Sequence, residues 1–413
     1  MTVTNWAGNV AFAASSLARP GSLDELRSLV ARHEQVRVLG AGHSFSPVAD
    51  SGDALISLDA LPGGIEVDAA AGTVRAGGGV RYAELAAELD ARGFALANLA
   101  SLPHVTVAGA TATGTHGSGS RNGALATAIA SMELLTADGD LVTVPEADLK
   151  ATAVGLGAFG VVTALTLRLT ENFTVRQRVY DHLPAGELHG GFEDIFGGAY
   201  SVSAFTTWKD PAVVDMLWVK DLAGRPAKPD RWHGATRAGE PRHPVPGMPA
   251  EFTTDQDGSE GPWHARLPHF RAEFTPSTGD ELQTEYLLPR ASAADAIEAM
   301  TPLASRMAPL LLINEIRTVA ADGLWLSMAH GRDSVALHFT WRKDVPAVTA
   351  FLPELEAALA PFEPRPHWGK VFTMPAERVR SAYPRFGDFA RLAKSYDPAG
   401  KFRNQFLNDI LEG

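Results

Sequence analysis

Val36-Arg37-Val38-Leu39-Gly40-Ala41-Gly42-His43-Ser44-Phe45 reads as a short strand rich in β-branched residues that ends in a glycine-rich turn. Upstream, Leu26, Leu29 and Val30 recur at helical spacing between Leu23 and His33, so a helix feeds that strand. A glycine turn after a strand can present consecutive N–H donors to a pyrophosphate. The dinucleotide fingerprint of the Rossmann kind is not met: Phe45 stands where the third glycine belongs, and no helix is announced after Pro47. On these residues alone a plain tight turn is an equal alternative.

Working outward, Leu55 to Leu58 and Gly72 to Val80 read as extended, and Tyr82 to Arg92 as a helix closed by Gly93. Val105 to Gly123 is built mainly from Gly, Ala, Ser and Thr, small side chains that let a backbone approach a ligand closely. Two such stretches in one α/β unit fit a single long dinucleotide wrapped by main chain. Ile129 to Leu135, a turn at Asp138-Gly139 and Leu141 to Val144 predict a β-hairpin, and Val161 to Leu169 a strand with one buried face. Composition shifts beyond about Glu171. Asp221 to Trp263 reads as a long irregular excursion rich in Pro, Gly, Arg and Asp. Strands are expected at Arg271 to Phe274, Thr284 to Leu288, Leu310 to Val319, Leu324 to Ala329 and Ser334 to Trp341, with helices at Ala291 to Met307 and Pro346 to Leu359. Strands and helices in separate blocks make this second region α+β.

A chain of 413 residues exceeds one ordinary core, since domains run to ~100–200 residues. Its 45% hydrophobic and 20% charged residues are globular composition. A net charge of −12 argues against a nucleic-acid partner, which needs dense Lys and Arg against phosphates. With no cysteine, thiolate nucleophiles, disulfides and Cys-ligated metals are excluded, and the histidines lack zinc-type spacing, so no metal is expected. Met1 to Ser16 carries no basic leader region, and no run approaches ~18 consecutive apolar residues. The expectation is a soluble cytoplasmic protein, without membrane partner and monomeric.

Three groups of residues then converge. Gly40-Ala41-Gly42-His43-Ser44, the segment holding Gly114-Thr115-His116-Gly117, and the C-terminal Asp397-Pro398-Ala399-Gly400-Lys401-Phe402-Arg403-Asn404 together resemble the vanillyl-alcohol oxidase family of flavoproteins. Glu315-Ile316-Arg317 and His367-Trp368-Gly369-Lys370 make the chain look like the sugar-oxidising branch of that family, which holds alditol and aldonolactone oxidases. The resemblance covers nearly the whole chain. It implies a two-domain α+β architecture: an FAD-binding domain from residues 1–172 and 371–413, with an α+β substrate domain at 173–370 between them. It implies FAD bonded covalently through His43 to the methyl group at position 8 of the isoalloxazine, a bond that raises the flavin potential. His116 is the other candidate for that bond, but its setting is that of the family's second flavin-contacting loop. Cofactor contacts are implied from Leu39, Gly40, Ala41, Gly42 and Ser44, from Ser101, Thr106, Gly109, Thr113, Gly114, Thr115 and His116, and from Val161 and His367.

Glu315 and Arg317 lie two apart in an apolar strand and so share a face. Charges there are expensive unless paired or used, so the pair is either a structural ion pair or a site. As a site, Glu315 accepts from the hydroxyls of a polyol and Arg317 donates to the reacting oxygen. By the same rule His338 and Thr340 share a face, giving a four-residue polar patch if the two strands are neighbours. Lys370, set among aromatics, joins Arg317 in stabilising a developing alkoxide while hydride leaves the carbinol carbon. Ser101 completes the substrate set by resemblance. The expected reaction converts a polyol and molecular oxygen into an aldose and hydrogen peroxide. Competing readings are an aldonolactone oxidase, a flavin dehydrogenase with another acceptor (Ala100 leaves room for oxygen, one methyl group that does not decide it), and a non-catalytic sugar- or nucleotide-binding protein.

Overall fold

The computed structural model describes residues 3–274 and 279–412. Val36–Val38 pairs in parallel with Ala54–Ile56, which pairs in parallel with Leu17–Ala18. The helix Leu23–Arg32 begins at Ser22, whose hydroxyl accepts from Glu25 N–H, and lays Leu26 and Val30 on this sheet. Beside it, five antiparallel strands run in the order Ile65–Asp68, Thr73–Gly77, Val161–Arg168, Ile129–Leu135, Leu141–Thr143. The expected hairpin is the last pair of that sheet, Glu133 facing Thr143 and Leu135 facing Leu141.

A ten-stranded antiparallel sheet follows. Its central strands are Val213–Leu222, Ser201–Thr206, Leu311–Val319, Ser334–Arg342 and Glu281–Pro289, in that order. Helices Ala293–Met300 and Val345–Leu359 pack together. The latter continues as a tight turn to Phe362, giving 18 residues of mean hydropathy 1.2, apolar enough for a membrane span by composition; here Val348, Leu352, Leu355 and Leu359 lie wholly inside the core.

Several expectations are corrected. Arg271–Phe274 is a turn, because Arg271 bonds back to Phe252 O and, through Nε, to Thr253 O, in place of a ladder. Leu324–Ala329 is also a turn: Asp322 accepts from Leu324 N–H at 2.9 Å and Ser327 Oγ at 2.5 Å, local bonds that compete with a strand. The helix expected over 291–307 is broken at Thr301–Leu303, where Pro302 cannot supply the next N–H. Nor is 221–263 wholly irregular, since Ala235–Arg237 and Asp257–Pro262 both pair with Thr174–Pro184.

The chain ends by returning to its start. Val36 N–H donates to Lys401 O, Lys401 Nζ donates to Val30 O and His33 O, and Phe402 joins Leu26, Val30, Val36 and Ile56 in one cluster. Asp397 fixes this turn by accepting from the N–H groups of Lys401 and Phe402.

Candidate active site

Between the glycine turn and the large sheet lies a cavity of about 800 Å³. Its first part is main chain. Gly42 has φ +72°, a conformation glycine adopts without strain, and a Cβ on Gly40 would stand 2.4 Å from Thr106 Oγ1. A Cβ on Gly109 would stand 2.7 Å from the same oxygen, so the two small-residue segments close on Thr106 and neither tolerates a side chain there. Leu39, Gly40, Ala41, Gly42, His43 and Ser44 line this part, with Ser101, Thr106, Gly109, Thr113, Thr115 and His116. His43 stacks obliquely on Trp6, ring centroids 4.8 Å apart, and makes no hydrogen bond among the described residues. Burial, aided by Lys370, His104 and Arg81, lowers its pKa to about 3, so the imidazole is neutral.

Two expected cofactor contacts lie off the cavity wall. Val161 turns its side chain into the cluster of Leu26, Val36 and Phe402, and its neighbours Gly160 and Val162 line the cavity instead. Gly114 faces Met328, whose sulfur would stand 3.1 Å from an added Cβ.

At the other end, strand register gathers the polar residues. Phe205 pairs with Glu315, Glu315 with His338, and His338 with Glu285, so one row crosses four strands. Thr340 pairs with Gln283 in the next row. All of these line the cavity with Arg317, His367 and Lys370. The sequence reading thus located Glu315, Arg317, His338 and Thr340 on one patch but missed Glu285 and Gln283 on the third strand. His269 was missed as well; it lies in an irregular segment without periodicity. His243, Pro244, Val245 and Met248 roof the cavity from the excursion, held where Gln256 brackets Arg242 through its N–H and carbonyl.

Arg317 is nearly inaccessible, and its Nη2 donates to Glu285 Oε1 at 2.6 Å and its Nη1 to Ser101 Oγ at 3.3 Å. Its Nε lies 3.6 Å from Glu315 Oε1 and has no hydrogen bond among the described residues. Burial alone would raise the Glu285 carboxyl, but Arg317 and then His116, 3.2 Å away, outweigh it and hold Glu285 well below the carboxylate range. For Glu315 the same opposition, burial against Arg317 and His269, again leaves the carboxylate ionised. His338 Nε2 lies 3.1 Å from Gln283 Oε1, an oxygen that also accepts from Lys370, so His338 carries the Nε2 proton and its Nδ1 is an acceptor. Burial lowers His338 to about 3. Lys370 also stands 5.3 Å from the centre of the Phe45 ring. The turn carrying it is docked on the glycine segment, Phe45 N–H donating to Gly369 O and Ser46 Oγ to Trp368 O.

A channel walled by backbone that leads to a row of hydroxyl-binding groups suits a dinucleotide at one end and a polyhydroxylated molecule at the other. Residues 14–145 match the family described as FAD binding domain, and residues 280–410 the one described as D-arabinono-1,4-lactone oxidase. The chain is 52% identical to alditol oxidase of a Streptomyces species, over 100% of this chain and 99% of that protein. It is 27% identical to L-gulono-1,4-lactone dehydrogenase of Mycobacterium tuberculosis, covering 99% and 98%, and 24% identical to L-gulonolactone oxidase of Bos taurus, covering 98% and 97%. Among solved structures, cholesterol oxidase from B. sterolicum superposes with a TM-score of 0.79 at 17% identity, over 99% of this chain and 96% of that one, a likeness of fold.

Proposed function

The chain belongs to the vanillyl-alcohol oxidase family of FAD-binding flavoproteins, on the branch that holds alditol oxidase, and from that premise we propose how its residues divide the work. Its activity is the FAD-dependent oxidation of an alditol, with the lactone-oxidising relatives more distant. FAD, when bound, would supply the hydride acceptor and the route by which the electron pair reaches oxygen, which becomes hydrogen peroxide. The glycine-lined channel and the free neutral imidazole of His43 fit that group, and His43 is the residue we assign to its covalent attachment. The wall of Gly40 to Ser44 with Thr106, Gly109, Thr113, Thr115 and His116 would hold the rest of the cofactor.

The substrate is read as a linear polyol of the xylitol or sorbitol kind. The patch formed by Glu315 and His338 in one row and Thr340 in the next carries this reading, because an ionised carboxylate, an imidazole acceptor and a hydroxyl side by side suit successive hydroxyl groups. Glu315 accepts from neighbouring hydroxyls, and Arg317, held by Glu285 and Ser101, donates to the oxygen that loses its proton. Lys370 is the second cation at that oxygen. The same reading places the domain limits at residues 172/173 and 370/371, supported by the ten-stranded sheet reaching from Thr174 to Pro366.

Oxygen consumption is the test of substrate class. Xylitol and sorbitol are expected to draw oxygen and release peroxide, and turnover of sugar lactones in preference to both would replace the alditol reading. For the attachment, the protein band on a denaturing gel is expected to fluoresce yellow, and His43→Ala to lose that signal. Flavin released wholly into an acid supernatant from the unmutated protein would rule the bond out.

A further inference from the structure

Behind Glu315 stands a buried lysine that the reaction does not use. Lys220 is 1% exposed, on the strand Val213–Leu222, and its ammonium points at three acceptors: Leu267 O, Pro268 O at 3.3 Å and His269 Nδ1 at 3.2 Å. Burial, opposed by Glu315, lowers Lys220 to about 7; below that pH it is an ammonium with three donors and no acceptor, so its hydrogen-bonding capacity is filled and the ring nitrogen facing it accepts. The proton of a neutral His269 is then on Nε2, which lies 2.7 Å from Glu315 Oε1. No hydrogen bond engages Glu315 Oε2 among the described residues. Phe205 and Trp218 meet the His269 ring edge-on, with centroids 5.6 and 5.0 Å away, and the backbone N–H of His269 donates to Ser101 O, so the ring has little freedom to turn.

We infer that Lys220 and His269 are positioning residues: Lys220 selects the Nε2–H tautomer of His269, which then anchors Glu315 Oε1 and presents Oε2 to the hydroxyls of the substrate. The inference rests on Glu315 being the polyol-recognising carboxylate. Burial, with Lys220 adding to it and Glu315 opposing, lowers His269 to about 4, so the ring stays neutral and its tautomer is what matters. Without Lys220 the proton is free to move to Nδ1, and Nε2 would set a lone pair against the carboxylate. Lys220 does not line the cavity, and His269 reaches its wall with Nε2 turned to Glu315, so the effect belongs in substrate binding. A hydrogen bond to a charged group contributes about 1.5–3 kcal/mol, about tenfold or more in affinity.

The experiment measures KM and kcat for xylitol in Lys220→Met, His269→Leu and His269→Gln, each checked for retained FAD absorbance, with Glu315→Gln in parallel. Lys220→Met and His269→Leu are expected to raise KM about tenfold with kcat changed less than about threefold, as for lost ground-state binding. His269→Gln keeps an amide N–H toward Glu315 and should recover most of the loss. A raised KM in Glu315→Gln with normal KM in both Lys220→Met and His269→Leu would overturn the inference alone. A normal KM in Glu315→Gln would remove the Glu315 reading beneath it. Should Lys220→Met not fold, nitrogen NMR of isotope-labelled histidine in the unmutated holoenzyme decides the matter, with His269→Gln assigning the signal: a protonated Nε2 and bare Nδ1 support the inference, and the reverse tautomer overturns it.

Discussion

Lys370 has a carbonyl acceptor in Gln283, an aromatic face in Phe45, and a partly buried position that lowers its pKa to about 8, Arg317 adding to burial and Glu285 opposing it. It is therefore charged below about pH 8 and progressively neutral above. If its charge stabilises the emerging alkoxide, alkaline solution should remove that help even though it favours losing the hydroxyl proton. The rate constant of the anaerobic reductive half-reaction with xylitol, followed by stopped-flow absorbance, is expected to fall as pH rises through about 8. Lys370→Arg, whose guanidinium keeps its proton, should carry the fall to higher pH. Lys370→Met should be slower by ~10²–10³ and lack that limb, as for removal of one oxyanion donor. Reoxidation by oxygen is expected to change much less. An unaltered reductive rate in Lys370→Met would leave the lysine as a partner of Gln283 and nothing more.

Elements explain which parts of the site were legible in the sequence. Glu315 and Arg317 announce themselves because period-two alternation puts two charges on one face of an apolar strand, and His338 and Thr340 follow by the same rule. Their meeting required that 311–319 and 334–342 be neighbours, which short chain separation favours and the register of Glu315 with His338 realises. Glu285 was out of reach for a different reason. Its strand, Glu281–Pro289, pairs with Ser334–Arg342, a strand that follows it only after another strand and two α-helices, and no local pattern encodes that partner. His269 and Lys220 are joined by 49 positions of chain through a segment with no periodicity, so only packing brings them together. The misread segment Leu324–Ala329 has strand-like apolarity because Leu326 and Met328 are buried; burial is what apolarity reports, and Asp322 decides the conformation. In the first region the reading was closer, since the glycine turn after Val38 and Gly93 after the helix Tyr82–Ala91 mark element ends by a backbone conformation glycine supplies, Gly42 at φ +72° and Gly93 at φ +80°.

At the scale of the molecule, the cofactor channel depends on a chain end almost the full length of the protein away from it. Asn404 is 4% exposed; its amide nitrogen lies within 3.2 Å of three carbonyls, those of Pro47, Val48 and Asp50, and its Oδ1 accepts from Leu407 N–H at the start of the last helix, Gln405–Glu412. One side chain therefore caps a C-terminal helix and ties down the turn that follows His43 and Phe45. Arg37 reinforces the same junction by donating to Val48 O and Phe402 O. Removing the amide leaves buried carbonyls without their donor, at about 1–3 kcal/mol for an unsatisfied group. Asn404→Ala should therefore lower the melting temperature of the holoenzyme and reduce the fraction of protein that carries FAD. Asn404→Asp separates the two duties, because a carboxylate keeps the cap on Leu407 yet sets negative charge against three carbonyl oxygens. If the tie to 47–50 is what matters, Asp is at least as damaging as Ala in both measurements. Recovery of melting temperature and FAD content in Asn404→Asp would instead assign the residue to the helix cap, and the dependence of the cofactor channel on the chain end would have to rest on Lys401, Phe402 and Arg37.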